Sequence, residues 1–356
     1  MWTAAKYAWE ELEETGCVAW ALEQQYWQSG SKDWLQTSAP ALLKIAQFFA
    51  SRVVQCEPPK NTSLYCLNHV MGPDESHAPV NNSGFTSGIA AASIATGLRV
   101  AKLTGAQIPA NWSAIAANIY ISFDSTHRYH PEYDGFPLGE VVRQADIQLL
   151  QYPLTYTFPS DVAANDMKLY EKTISGPSMT YGLFAVIYMQ QHTDGDNFLE
   201  LAQAEFDKSY EYIYGDFNSF SESPHGSGTP HFATGMGAFL QSIVQGWAGV
   251  RYTEPDGGDK DAASGQGLLR LRPQQPLDGT TNLTIAGIWY HSSALTLSIL
   301  SSHAEMTLSV GPSLHCAFTT ASNSTVQRPL TMDEPVALQL GAVVTCREKN
   351  GAGIKK

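Results

Sequence analysis

Met71-Gly-Pro-Asp-Glu-Ser-His-Ala-Pro-Val-Asn-Asn-Ser-Gly-Phe-Thr86 is the stretch on which the rest of the chain turns. The pair Gly72-Pro73 places Asp74 and Glu75 at the tip of a turn. Asn81, Asn82 and Ser83 then offer capping oxygens to a helix running over Gly84–Thr104. A carboxyl held between a turn and a helix start can be aimed into a cleft. A solvated turn with a plain N-cap is the competing reading, because acids are mostly exposed.

Outward from this stretch, residues 1–252 carry helical periodicity. Gly16–Ser29 places Val18, Leu22 and Tyr26 on one face, and Asp33–Val54 does the same with Leu35, Leu42, Ala46, Phe49 and Val53. Further helices are predicted over Trp112–Ile121, Pro137–Leu150, Asp161–Ile174, Ser178–His192, Asn197–Tyr214 and His231–Gly249. Ala, Gly and Ser fall on more than one face of these helices, which allows close packing of helical pairs. Helical hairpins with polar loops on one rim have the pattern of an (α/α) toroid, although no clean repeat period stands out.

Composition shifts over residues 253–267, around Glu254-Pro-Asp-Gly-Gly-Asp, which reads as a linker or exposed loop. Residues 268–347 then alternate as strands: Leu268–Arg272, Leu283–Tyr290, Ala294–Leu300, Ala304–Val310 and Val336–Cys346. They predict a small β-sandwich, with a frayed tail over 348–356. The fold class is therefore mainly α with a small all-β domain.

Composition narrows the partners. The chain is 43% hydrophobic and 15% charged, which reads as globular. Its net charge of −13, with no Lys/Arg cluster, excludes nucleic acid and anionic membranes. No apolar run reaches the length of a membrane span. The first residues lack the apolar core of a secretory leader, and Glu10, Glu11, Glu13 and Glu14 follow at once. Sequons at Asn61, Asn81, Asn111, Asn282 and Asn323 fit a secretory or vacuolar protein, whereas the missing leader fits the cytoplasm, so the compartment stays open. Eight Trp and sixteen Tyr suit a sugar-stacking cleft and an ordinary large core equally. Of the five cysteines, Cys17 reads as a small core residue, and the pairs Cys56/Cys66 and Cys316/Cys346 can each bridge.

Four more stretches carry candidate chemistry. His127-Arg-Tyr-His-Pro-Glu-Tyr-Asp-Gly-Phe136 reads as a loop reaching toward a polar ligand. Pro131 spoils helical spacing for a metal pair of His127 and His130, and no third ligand follows. Arg143 and Gln144 are expected inside an otherwise apolar helix, either hydrogen-bonding sugar hydroxyls or, for Arg143, pairing with Asp146 three residues on. Gly176-Pro-Ser-Met-Thr-Tyr181 marks a Pro-started helix. Glu222 is the sole acid between Asp216 and Glu254, in a loop rich in Ser, Gly and His, and is a candidate base. Glu75 and Glu222 thus each precede an apolar helix. Two carboxyls flanking a scissile bond, one protonated and one ionised, are what glycoside hydrolysis requires.

The residues Gly72-Pro-Asp-Glu-Ser-His77 with Val80-Asn-Asn-Ser-Gly-Phe-Thr86, Arg143-Gln-Ala-Asp146, Gly176-Pro-Ser-Met-Thr-Tyr181 and Thr234-Gly-Met-Gly-Ala-Phe-Leu-Gln241 resemble, in order and spacing, glycoside hydrolase family 65, and most of all its acid-trehalase-like branch. The resemblance implies an inverting α-glucosidase acting on α-linked glucosyl disaccharide units of glucosyl-α-1,2-galactose, kojibiose or trehalose type. Glu75 would be the general acid and Glu222 the general base, with Arg143, Gln144, Asp74, His77 and Asn82 lining the sugar site. It calls for no cofactor and no metal, and the expected partner is a small carbohydrate or a glycosylated hydroxylysine. His225, Ser227 and His231 keep a family phosphorylase in play as the alternative, and an inactive sugar-binding fragment is a second one. Ser76 departs from an aromatic residue common in the family. Family members also carry an N-terminal β-sandwich and early helices of an (α/α)6 barrel. This chain is therefore expected to begin mid-barrel and to need that N-terminal region as a partner.

Overall fold

The structure is a computed structural model that describes residues 10–190, 197–254, 267–319, 324–332 and 334–348. Helices come first and strands last. Helices α1 (Glu13–Ser29), α2 (Lys32–Arg52), α3 (Gly84–Thr104), α4 (Trp112–Ala117), α5 (Gln148–Gln151), α6 (Ser160–Glu171), α7 (Ser178–Gln190), α8 (Phe198–Ser209) and α9 (Ala233–Gln241) pack around three apolar centres, and α9 runs on as a π-helical turn over Ser242–Trp247. Two short hairpins interrupt them: β1 (Val54–Gln55) with β2 (Tyr65–Cys66), and β3 (Ile213–Tyr214) with β4 (Ser219–Phe220).

Helix α3 has the bounds that its signals predict. Ser83 caps it by accepting from Thr86 N–H at 3.4 Å, and Gly105 closes it in the left-handed conformation. Its small residues let neighbours approach closely: a Cβ on Gly97 would stand 2.4 Å from Ala46 Cβ on α2. α1 packs on α3 differently from its predicted face. Gly16, Ala19, Glu23 and Tyr26 are buried, while Val18 is 53% exposed. The inward Glu23 is matched by Arg99, whose Nε and Nη2 donate to its two oxygens at 2.7 and 2.8 Å, joined by Thr96 Oγ1. That pairing makes it possible to bury a carboxylate where Val18 was expected. Cys17, expected in the core, lies on the exposed side of α1.

Two antiparallel sheets follow, sharing one apolar centre. The five-stranded sheet has the order β11 (Thr325–Leu330), β10 (Leu314–Thr319), β13 (Val343–Glu348), β6 (Leu268–Leu271) and β5 (Arg251–Thr253). The four-stranded sheet has the order β12 (Val336–Leu338), β9 (Ala304–Val310), β8 (Ser293–Leu300) and β7 (Asn282–Tyr290). Strand pairing starts earlier than position 268, because Arg251–Thr253 pairs with Leu268–Leu271. The single strand expected over Val336–Cys346 is two strands in different sheets, divided by a turn at Gly341, whose φ is 78°. Both candidate disulfides are formed, Cys56–Cys66 closing the β1–β2 region and Cys316–Cys346 joining β10 to β13. The core of the 253–267 segment and the tail from 349 lie outside the described residues. No helix among the described residues is long and apolar enough to cross a membrane.

Candidate active site

Residues 71–79 form a loop pinched at its base, where Val70 and Val80 exchange N–H···O bonds of 2.9 and 2.7 Å. Asp74 and Glu75 sit at its turn, as predicted, but they face different surroundings. Asp74 is buried, and its carboxylate accepts from Arg143 N–H at 2.7 Å and Ser76 N–H at 3.0 Å. Glu75 is exposed. Asp74 N–H in turn donates to both oxygens of Asp146, at 2.9 and 3.2 Å. The Gln144 side-chain amide donates to the carbonyl of Pro73. Gly72 is required here, since a Cβ would lie 2.4 Å from Asp146 Oδ2 and 2.9 Å from Ser83 Oγ.

These bonds correct the helix expected over Pro137–Leu150. Helical structure is confined to Gln148–Gln151. The preceding backbone satisfies its N–H groups elsewhere: Val142 N–H donates to Thr173, Ser175 N–H donates to Val142, and Arg143 N–H goes to Asp74. Gly139, with φ of 85°, turns the chain out of helical geometry. Arg143 and Gln144 therefore stand in an irregular segment, and Asp146 serves Asp74 instead of pairing with Arg143. The Arg143 side chain is exposed.

Asn82 and His77 also have defined partners. Asn82 is buried with φ of 55°; its Oδ1 accepts from Leu67 N–H at 2.9 Å and its Nδ2 donates to Asp134 at 2.7 Å. His77 Nε2 lies 3.0 Å from Glu140 Oε1, linking the acid loop to the segment before Arg143.

Beneath the loop lies a group of buried acids that sequence reasoning did not assign. Glu132 is 3% exposed and neither of its side-chain oxygens has a hydrogen-bond partner. Burial first, then the charges of Asp146, Asp74 and Asp166, hold its carboxyl well above the usual range. Burial raises Asp146 in the same direction, against the Asp74 N–H that favours its charge. Burial also pushes Glu13, beside Thr86, up to about 8. No local pattern announces such sites: Glu132 and Asp146 sit in quoted motifs, but their burial arises from elements remote in sequence. His127 and His130 are not joint ligands. His127 pairs with Asp124, and buried His130 pairs with Asp166, both at 2.8 Å. Among the described residues, no three His, Cys, Asp or Glu side chains come together as a metal cluster would require.

The Glu222 side is built from the β3–β4 hairpin and the loop that follows. Glu222 N–H donates to Thr229, and Glu222 Oε2 accepts from Thr229 N–H at 2.9 Å, leaving the carboxylate half-buried on a loop closed upon itself. The helix expected over His231–Gly249 starts at Ala233 and turns π-helical from Ser242, while His231 stays outside with φ of 55°. Ser178 Oγ donates to the carbonyl of Ser221, the residue before Glu222. Gly176 packs on the Arg143 carbonyl so closely that a Cβ would stand 1.4 Å from its oxygen. Segments 72–76, 143–146, 176–178 and 221–222 thus form one contiguous chain of contacts. A cavity of about 260 Å³ opens beside them, lined by Pro73, Gln144, Met179, Thr180, Thr234 and Gln241 among others, with neither Glu75 nor Glu222 in its lining.

Residues 2–138 match the central catalytic domain of glycosyl hydrolase family 65. The chain belongs to that family. It is similar to the protein-glucosylgalactosylhydroxylysine glucosidase of Gallus gallus, at 33% identity over 82% of this chain and 39% of the relative. It is also similar to the kojibiose hydrolase of Flavobacterium johnsoniae, at 30% identity over 80% of this chain and 39% of the relative. Among solved structures it matches a human-microbiome protein provisionally named kojibiose phosphorylase, with a TM-score of 0.67, 14% identity, and coverage of 93% of this chain and 47% of that one. At that identity the match bears on fold alone. The chain spans about 39% of the length of these two relatives.

Proposed function

We propose that this chain carries the acid–base machinery of an inverting α-glucosidase acting on α-linked glucosyl disaccharide units, of glucosyl-α-1,2-galactose, kojibiose or trehalose type. Glu75 protonates the leaving oxygen. Glu222 takes a proton from a water that attacks the anomeric carbon from the opposite face, inverting it. Arg143, Gln144 and His77 hold the glucose. Asp74 and Asn82, which are buried as well as bonded within the protein, shape the site. The observation that carries this is the contact chain from the acid loop through Arg143 and Gly176 to the residue before Glu222.

In this reading the helices are the later part of an (α/α)6 barrel and the paired sheets its C-terminal β-sandwich. The outward Val18 on α1 then meets earlier helices supplied by an N-terminal region like that of the longer relatives. The boundaries 1–252 and 268–347 follow from the same proposal.

The test is glucose release in phosphate-free buffer from a glucosyl-α-1,2-galactosyl substrate, kojibiose and trehalose, by this chain alone and with such an N-terminal region supplied. Glu75→Gln and Glu222→Gln should each lower kcat by about 100-fold or more, and β-glucose should appear first. Full activity in Glu75→Gln overturns the assignment. His225, Ser227 and His231 share the Glu222 loop, so a phosphorylase is the second reading; turnover that begins only on adding phosphate, with a sugar phosphate as product, would replace the first.

A further inference from the structure

Segments 73–76 and 143–146 are joined by a reciprocal exchange. Asp146 is 3% exposed and accepts the Asp74 N–H with both carboxylate oxygens, at 2.9 and 3.2 Å. Asp74 is 6% exposed and accepts the Arg143 N–H at 2.7 Å. Each aspartate therefore holds a backbone N–H of the other's segment, some seventy residues away in sequence. The Gln144 amide on the Pro73 carbonyl adds a third tie. All three ties end on backbone N–H or C=O groups. They fix peptide planes, so they fix the direction in which the next residue leaves. The residue after Asp74 is Glu75.

We infer that Asp146, with Asp74 as its counterpart, is a positioning residue that sets where the Glu75 carboxyl stands relative to Arg143 and Gln144; this rests on the glycosidase reading. Asp146 touches no reacting atom. It holds the Asp74 peptide, and that peptide aims the acid. Gly72 lets the Asp146 carboxylate press against the loop backbone, with no room for a Cβ between them. A staple that serves stability alone would need no such match between the peptide just ahead of the acid and the segment carrying Arg143 and Gln144.

A leaving-group comparison separates these two roles. Departure of a sugar alkoxide needs a proton from Glu75, whereas fluoride departs from α-glucosyl fluoride with little help. In the assembly that hydrolyses the disaccharide, Glu75→Gln should lower kcat on the disaccharide by about 100-fold or more while leaving the fluoride largely unaffected. Asp146→Ala should show the same split, with a disaccharide loss of at least 10-fold and KM little changed. Asp146→Asn, which keeps one oxygen acceptor, should fall between the two and serves where Asp146→Ala fails to fold. Amide exchange at Asp74 and Arg143 should quicken in both variants ahead of exchange in α3. Equal losses on both substrates would mean a structural staple only and overturn the inference, as would unchanged kcat on both. Absence of the split in Glu75→Gln itself would overturn the glycosidase reading instead.

Discussion

The hydroxyl of Ser178, at the start of α7, donates to the carbonyl of Ser221 at 3.3 Å, and both residues are buried. This bond ties a helix start to the residue preceding Glu222. Ser178→Ala removes the donor and leaves a buried carbonyl with one partner fewer, at a cost of about 1–2 kcal/mol. It should also loosen the Glu222 loop, so that kcat falls more than Tm does. A Tm loss with unchanged kcat would confine Ser178 to stability.

Gly176→Ala is expected to be severe. The new methyl would stand 1.4 Å from the Arg143 carbonyl oxygen, and that contact is with backbone, which cannot swing aside. Displacing either segment should destabilise the fold by about 3 kcal/mol or more, the upper part of the overpacking range. Thermal unfolding is the check. A Tm within about 2 °C of the parent, less than 1 kcal/mol for a domain of this size, would mean the two segments can part without cost.

Glu13 makes stability depend on pH in a direction opposite to that of a salt-bridged acid. Burial is the main reason its carboxyl is pushed up to about 8 from an ordinary 4.5. Between those values the folded state keeps a proton that the unfolded chain releases, so the contribution is present below pH 4.5 and is lost as pH rises through 8. The loss is on the order of 5 kcal/mol at most. Glu132, Asp146 and Asp166, all raised first by burial, act in the same direction. Denaturant melts at pH 5 and pH 8 should show the parent weakening at the higher pH and Glu13→Gln weakening less. A parent more stable at pH 8, with the variant showing no shallower slope, would count against a buried neutral Glu13.

Reduction should weaken both parts of the molecule. The Cys56–Cys66 bridge spans a sequence separation of 10 and Cys316–Cys346 one of 30. Loop-closure entropy gives about 3 and about 4 kcal/mol respectively. Cys316→Ser with Cys346→Ser should lower the β-region's unfolding transition in a scan. An unchanged transition would show that β10–β13 pairing holds without the bond.

Local signals were enough where partners were local. Capping residues at Asn81, Asn82 and Ser83 ahead of an apolar, small-residue run defined α3 to the residue, and alternation defined β7 to β9 within a residue or two. The same reasoning misplaced Pro137–Leu150, because apolar spacing there matched a helix while the backbone N–H groups found partners about thirty and seventy residues away. It also placed Val18 inward, because a buried Glu23 is possible only once Arg99 faces it.

By itself, then, the sequence determined the order of helices and strands, the turn that presents Asp74 and Glu75, and the residue types from which an acid–base pair can be drawn. These depend on torsional preference and on periodicity within a dozen residues. Only the tertiary structure decided that Asp74 is locked to Arg143 while Glu75 is left exposed. It alone placed Asp146 beneath them and left Glu132 buried and unpartnered. Burial and desolvation are set by whatever packs around a group, and here that comes from segments far along the chain.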